Sequence, residues 1–128
     1  MTGAETPIYE TVNEHLTGTR YAVAAEPRIE VLSENAHVCI VLTGEIDGQA
    51  SQAVVEQGLQ ALREHPAELV LDLSGVTFLD SGGISAIVAL RNQTIGTATR
   101  LRLRPGPPNV MRVLHIVGLD TAIELLDS

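Results

Sequence analysis

The stretch that decides the fold is "LDLSGVTFLDSGGISAI", residues 71–87, where one apolar run leads through an acidic residue, a serine and two glycines into another. The first half has the apolar character of a strand, and the second half has helical spacing through Ile84 and Ile87. Asp80 and Ser81 are residue types that cap helices, and glycines suit a tight turn. A serine in such a turn can attack a substrate, cap the helix or receive a phosphate, so the sequence leaves three roles open for Ser81.

Apolar periodicity divides the rest of the chain into elements in the order β-β-α-β-α-β-α-α. Strands that alternate with helices indicate a mainly parallel sheet. We therefore predict an α/β fold, with a small mixed, mostly parallel β-sheet and helices packed mainly on one face. The predicted strands are residues 28–33, 37–44, 67–73 and 99–104, and the predicted helices are residues 47–65, 81–96, 109–118 and a last short element over 119–128.

Several boundaries follow from glycine, proline and polar residues. The apolar run of the second strand ends at Gly44, and residues 74–80 are predicted to be a connector. Asp47 or Ser51 is expected to cap the first helix. The last short element, residues 119–128, is predicted to be helical.

Composition indicates one globular domain that meets other proteins. The chain has 128 residues, 45% hydrophobic and 2% aromatic, so its core must be aliphatic. The net charge is −8 and all eight basic residues are arginines, which argues against binding to nucleic acid. No apolar stretch reaches the ~20 residues of a membrane span, and the acidic N-terminus is unlike a secretory signal. A cytoplasmic location is expected.

Residues 1–27 differ from the remainder, residues 28–128, which we assign to the domain. The N-terminal part has no clean period, and we predict a tail that contributes little to stability. Its apolar residues leave an alternative open, in which a short helix docks on the open face of the sheet. Those residues are Tyr9, Val12, Leu16 and Tyr21.

Catalysis by Ser81 lacks support in the sequence. A serine nucleophile needs a general base, and no histidine has a motif context. The G-x-S-x-G turn of esterases is absent, because residue 79 is leucine. We expect no enzymatic activity. The four histidines are His15, His37, His65 and His115.

The single cysteine and one pair of acidic residues are the other candidates for a reactive or metal-binding site. Cys39 is the only cysteine, and it is predicted to be a small buried apolar residue. Glu45 and Asp47 are two residues apart, so they could bind a cation, but a turn that caps the next helix is favoured. We expect neither a metal nor a cofactor.

Three segments together resemble a known family. "VLTGEID" at 41–47, "LVLDLSGVTFLDSGGISAIVAL" at 69–90 and "VMRVLHIVGLD" at 110–120 are similar to the signature segments of STAS-domain anti-sigma factor antagonists. The resemblance covers about residues 28 to 126. One departure is Gly82, where the family often has serine or threonine; it leaves Ser81 as the only hydroxyl of the turn and is expected to loosen that turn.

The resemblance implies a regulatory role without catalysis. The domain would bind an anti-sigma factor that is a serine kinase with a histidine-kinase-like ATPase fold, and so release the sigma factor. Phosphorylation of Ser81 would end the complex, and a PP2C-type phosphatase would restore it. The alternative is a STAS module of a stress-sensing assembly or a lipid-transport complex. The implied contact residues are Asp47, Asp80, Ser81, Gly82, Gly83 and Ile84.

Overall fold

A five-stranded mixed sheet forms the centre of the protein, in a computed structural model that describes residues 27–126. The strands lie side by side in sequence order. They are β1 (Arg28–Glu34), β2 (His37–Ile46), β3 (Glu68–Leu79), β4 (Arg100–Arg104) and β5 (Glu124–Leu125). The helices are α1 (Gly48–Leu62), α2 (Ser81–Thr94), α3 (Pro108–Ile116) and α4 (Leu119–Ala122).

The pairing confirms the predicted mostly parallel sheet. β1 is antiparallel to β2, and each of the other pairs is parallel. The β1–β2 hairpin turns at Asn35, whose φ of 58° is left-handed, a conformation that asparagine tolerates better than most residues. The parallel pairs are joined through helices, as crossover connections require.

One face of the sheet, which we call the core face, is covered by the helices. Because side chains alternate along a strand, the buried residues of β2 and β4 recur at every second position. The buried apolar residues of α1, α2 and α3 join the same cluster, so these helices pack on the core face. The centre of the cluster is aliphatic. Its fully buried members include Ile40, Leu42, Leu69, Leu71, Leu103, Val54, Ile87, Leu90 and Leu114.

β3 is longer than the sequence indicated. Residues 74–80 were predicted to be a connector, which is wrong: β3 continues to Leu79. Two register shifts on β2 explain the error, because β3 holds an extra residue between the partners of Val41 and Thr43 and another between those of Gly44 and Glu45. Each such bulge interrupts the alternation of apolar and polar residues that identifies a strand.

Two further boundaries differ from the expectation. β2 continues past Gly44 to Ile46, and the last element is only in part helical. After the single turn of α4, residues Glu124–Leu125 pair with β4 as a fifth strand. Two residues are too few to show a period, so their pairing could be read only from the structure.

The N-terminal part, residues 1–26, lies outside the described range, so its predicted character stays a prediction. Within residues 27–126, no helix has both the length and the apolarity that crossing a membrane requires.

Candidate partner-binding site

Two turns leave the sheet side by side at its carboxyl edge. β2 ends at Ile46 and β3 at Leu79, and these two residues are register partners. The next residue in each chain segment is an aspartate, and the Asp80 N–H lies 3.4 Å from the Ile46 carbonyl oxygen, which accepts its hydrogen bond. Asp47 and Asp80 therefore lie at the same end of the sheet, as expected for groups that follow parallel strands.

Asp47 caps α1. Its backbone is extended, with φ −98° and ψ −171°, and its Oδ1 accepts a hydrogen bond of 2.9 Å from the Ala50 N–H. Of the two candidate caps, Ser51 lies inside the helix and donates its hydroxyl to the Gly48 carbonyl at 2.7 Å. The capping role expected of one of these residues thus belongs to Asp47, which satisfies one of the free N–H groups of the first turn.

Asp80 caps α2 in the same way. Its φ of −99° and ψ of −171° match those of Asp47 almost to the degree. Its Oδ1 accepts hydrogen bonds from the N–H groups of Gly82 at 2.8 Å and Gly83 at 3.1 Å. Ser81 is therefore the first residue of the helix and not its cap.

The side chain of Ser81 lies at the surface without a hydrogen-bond partner among the described residues. The residue is exposed, and within residues 27–126 its hydroxyl forms no hydrogen bond. Since Asp80 already caps the helix, the fold does not depend on the Ser81 hydroxyl. Of the three roles that the sequence left open, helix capping is excluded by this geometry.

The two helix starts touch each other through glycines. A Cβ atom added at Gly82 would lie 2.7 Å from the Gly48 Cα, closer than real Cβ contacts come. Gly82 therefore allows the close approach of the two turns, and the expectation that it loosens its turn is wrong in this respect. Gly83 is buried, and a Cβ there would lie 2.9 Å from the Ile46 carbonyl oxygen.

The electrostatics of the site have two opposing parts. The N-termini of α1 and α2 meet here, and each carries the positive end of a helix dipole, which favours an anion. Asp47 and Asp80 carry negative charge, and in the described part of the chain neither forms an ion pair with a basic side chain. A phosphate on Ser81 would therefore be supported by the helix start and opposed by two carboxylates.

The predicted contact residues differ in exposure. Asp47 and Ser81 are exposed, and Asp80, Gly82 and Ile84 are partly buried. These five lie at or next to the two turns and can form one surface. Gly83 is buried, so it shapes the turn and presents no surface to a partner.

Two residues close to the turns in sequence were missed by sequence reasoning. Gly48 is exposed beside Gly82, and its place in "IDG" after a strand, parallel to "LDS" in the second turn, was a signal for it. Phe78 is 49% exposed near the end of β3 and pairs in register with Glu45. An exposed aromatic beside a polar turn is typical of protein-binding surfaces.

Two of the described histidines contact carboxylates away from Ser81. His37 starts β2 and contacts Glu68 at 3.0 Å, and the His115 Nδ1 lies 2.8 Å from Asp120. None of the three described histidines forms a hydrogen bond with Ser81, so the arrangement gives a serine nucleophile no base. Among residues 27–126, no group of three His, Cys, Asp or Glu side chains is placed to hold a metal ion.

A small mixed sheet with helices on one face and an exposed serine at a helix start defines a small α/β domain. The family model described as "Mlab, STAS domain" matches residues 29–127, and the chain belongs to the STAS domain family.

Named relatives agree with this assignment. The chain is 29% identical to the anti-sigma-F factor antagonist RsfB of Mycobacterium tuberculosis over 100 residues, 78% of this chain and 81% of that protein. The crystal structure of an anti-sigma factor antagonist from Mycobacterium paratuberculosis is 27% identical, with a TM-score of 0.67 over 78% of this chain and 85% of that one.

SpoIIAA, an anti-sigma factor antagonist, shares the fold at 18% identity. Its unphosphorylated form gives a TM-score of 0.64 over 78% of this chain and 88% of that one. The phosphorylated form of SpoIIAA, described as a Bacillus cell fate determinant, gives a TM-score of 0.57 over 78% of this chain and 92% of that one.

Proposed function

We propose that this STAS domain is an anti-sigma factor antagonist whose binding is switched off by phosphorylation of Ser81. The partner is an anti-sigma factor that is itself a serine kinase, and binding frees its sigma factor. A PP2C-type phosphatase reverses the modification. The names of the mycobacterial relatives support the antagonist role.

The observation that carries the proposal is the freedom of the Ser81 hydroxyl. It is exposed at the first residue of α2, while Asp80 supplies the cap through two hydrogen bonds. Phosphorylation therefore breaks no hydrogen bond within the described domain. The modified group sits at a helix N-terminus, where an anion is favoured, so the domain stays folded.

The same phosphate weakens the complex. It adds a charge of roughly −1.5 to −2 to a surface that already carries Asp47 and Asp80. A partner that accommodates a neutral serine then meets like charge and a bulkier group in the centre of the contact. Such a mismatch costs several kcal/mol in an interface, which is enough to separate bound and free states.

The contact surface has a polar centre and apolar neighbours. Asp47, Asp80 and Ser81 form the centre, with Gly82 allowing the turns to pack. Ile84 is partly buried and Phe78 is half exposed, so both can supply apolar contact around the serine. We expect Asp47→Ala to weaken partner binding without unfolding the domain, since the residue is exposed.

The decisive experiment combines the full chain with the anti-sigma kinase, Mg²⁺ and ATP, and follows the intact mass. We expect one phosphate on the wild type and none on Ser81→Ala. Ser85→Ala is the matched control, because Ser85 is exposed one turn later on the same helix. It should take up phosphate as the wild type does.

Binding measurements complete the test. Ser81→Ala should bind the kinase and remain bound when ATP is added, whereas the wild type is released. Phosphate on Ser74, Thr77 or Ser85 would contradict the assignment of the site. Capture of a stress-sensing assembly or a lipid-transport complex, with no binding to an anti-sigma kinase, would favour the alternative role for a STAS module.

A further inference from the structure

A cavity lies at the amino edge of the sheet, where α1 leads into β3 and α2 leads into β4. Its volume of about 380 Å³ falls within the roughly 300–1,000 Å³ of small-molecule sites. The lining comes from the ends of the two helices and from the segments that follow them. Ser81 follows the carboxyl end of β3, so this cavity and the proposed phosphorylation site lie at opposite ends of the sheet.

Two hydrogen-bonded threonines fix one wall of the cavity. The Thr99 hydroxyl donates to the Pro66 carbonyl at 2.6 Å and so ties the segment after α2 to the segment after α1. The Thr97 hydroxyl donates to the Thr94 carbonyl at 2.7 Å. Because these bonds lie within the chain, the cavity is formed by the fold itself, as most small-molecule sites are.

Three side chains with N–H donors share the cavity. Arg63, His65 and Gln93 line it, and among residues 27–126 none of these side chains forms a hydrogen bond or an ion pair. The three arginines of β4, by contrast, each pair with a carboxylate. The lining includes no acidic residue, although the chain has 16 of them and a net charge of −8. A basic lining in an acidic protein favours an anion.

The helix ends at the cavity act against an anion, but their effect is small. The negative ends of the α1 and α2 dipoles lie here. The Leu62 carbonyl accepts from the His65 N–H at 3.0 Å, and the Arg91 carbonyl accepts from the Ile95 N–H at 3.2 Å, so carbonyls of both last turns are used within the chain. A guanidinium that binds an oxyanion through two charge-assisted hydrogen bonds outweighs an exposed helix end.

The backbone of His65 adopts a conformation that glycine would adopt at lower cost. Its φ is 51°, and in the described part of the chain the other non-glycine residue with a positive φ is Asn35, at 58°. Asparagine suits the hairpin turn that it occupies, whereas a histidine in the left-handed region costs stability. The strained position places an imidazole at the cavity, which is typical of a residue kept for binding.

The remaining wall is apolar. Leu62 is partly buried, and Leu59 is 36% exposed at the cavity. A short aliphatic group could cover these two leucines while an oxygen of the same molecule reached Arg63. The cavity therefore combines a few polar donors with an apolar wall, the usual composition of a small-molecule site.

We propose that this cavity binds a small organic anion, with the oxyanion held by Arg63, His65 and Gln93 and an aliphatic body against Leu59 and Leu62. A carboxylate and a phosphate monoester share this chemistry. The site is remote from Ser81, and the proposal stands independently of the phosphorylation switch.

The experiment titrates the isotope-labelled full chain with four probes and follows its amide resonances by NMR. Hexanoate and hexyl phosphate carry both parts of the proposed ligand, acetate carries the anion alone, and hexanol carries the aliphatic body alone. At least one hexyl anion should give saturable shifts at the amides of Arg63, His65 and Gln93. It should bind at least about tenfold more tightly than acetate or hexanol. The preference between the two hexyl anions identifies the head group.

Matched variants test the side chains. Arg63→Gln should weaken binding of the preferred hexyl anion by about tenfold or more, whereas Arg112→Gln removes an equal charge from the exposed side of α3 and should leave it unchanged. His65→Gly removes the imidazole and relieves the backbone, so it should stay folded and bind about threefold or more weakly. Asn35→Gly relieves the other left-handed residue and should bind as the wild type does.

Four outcomes would overturn the proposal. Absence of saturable shifts with both hexyl anions would mean that the cavity holds no such ligand. Equal affinity for hexanol would make the site merely apolar, and equal affinity for acetate would make it a simple ion site. Wild-type affinity in both Arg63→Gln and His65→Gly would mean that these side chains only balance the helix ends.

Discussion

The Asp47 and Asp80 turns solve the same structural problem with the same backbone, yet they differ at the next residue. Each follows a parallel strand, each is an extended aspartate with ψ of −171°, and each caps the helix behind it. α1 then begins with Gly48, and α2 begins with Ser81. Because the first turn works without a hydroxyl at this position, capping cannot account for the serine in the second. This difference supports the proposal that Ser81 is a phosphorylation site.

The glycines of the two turns differ in the space that surrounds them. Nothing lies within 4 Å of a Cβ built at Gly48, whereas a Cβ built at Gly82 meets the Gly48 backbone. One glycine is therefore free to change, and the other is fixed by packing. The turn that carries Ser81 is also the turn that is more tightly constrained.

Moving the hydroxyl between the turns should have the largest effect. In the double variant Ser81→Gly/Gly48→Ser, we expect the rate of phosphorylation by the anti-sigma kinase to fall by about a hundredfold or more. The reason is that, in the proposed complex, the kinase positions the hydroxyl of residue 81 for phosphoryl transfer, and the rate of such a transfer depends strongly on position. Initial rates of phosphate incorporation measure the change, and phosphopeptide mapping identifies the modified residue.

Gly48→Ser alone is the control, because it keeps Ser81 and adds a side chain in open space. Because residue 48 lies on the contact surface, the rate of Ser81 phosphorylation in this variant measures the effect of the added side chain alone, and the double variant is compared with it. Efficient modification of residue 48 in the double variant would show that the turn itself is the recognised feature, and the contrast between the two turns would lose its functional meaning.

The two glycine variants should differ next. Gly82→Ala forces the backbones of the two turns apart and should lower the free energy of unfolding by roughly 1–3 kcal/mol. Gly48→Ala has open space at an exposed first helical residue and should change it by no more than about 0.5 kcal/mol. Urea denaturation measures both. Equal losses in the two variants would refute the close Gly48–Gly82 contact.

Sequence reasoning predicted what depends on local residue type and regular period. The α/β class, the mostly parallel sheet and the helices mainly on one face follow from apolar spacing, and capping chemistry limited the cap of α1 to Asp47 or Ser51, of which the structure shows Asp47. It also placed Asp47 at the same end of the sheet as Ser81, because both follow parallel strands.

What the sequence did not reveal depends on contacts between distant residues. The bulges of β3 break the two-residue period, so its second half resembled a connector. The two-residue strand β5 exists only through pairing with β4. The packing of Gly82 on Gly48 joins residues from separate elements, and no local pattern marks it.

The aspartates themselves should give the smallest difference. Asp80 accepts from two N–H groups and is partly buried, whereas Asp47 accepts from one and is exposed. We expect Asp80→Ala to cost roughly 1–2 kcal/mol of unfolding free energy and Asp47→Ala about 1 kcal/mol or less. Asparagine variants keep the acceptor oxygen and should recover most of the loss at both positions. A larger loss of unfolding free energy in Asp47→Ala than in Asp80→Ala would contradict this expectation. The Asp47 turn would then be the more tightly constrained of the two, against the argument drawn from the packing of Gly82.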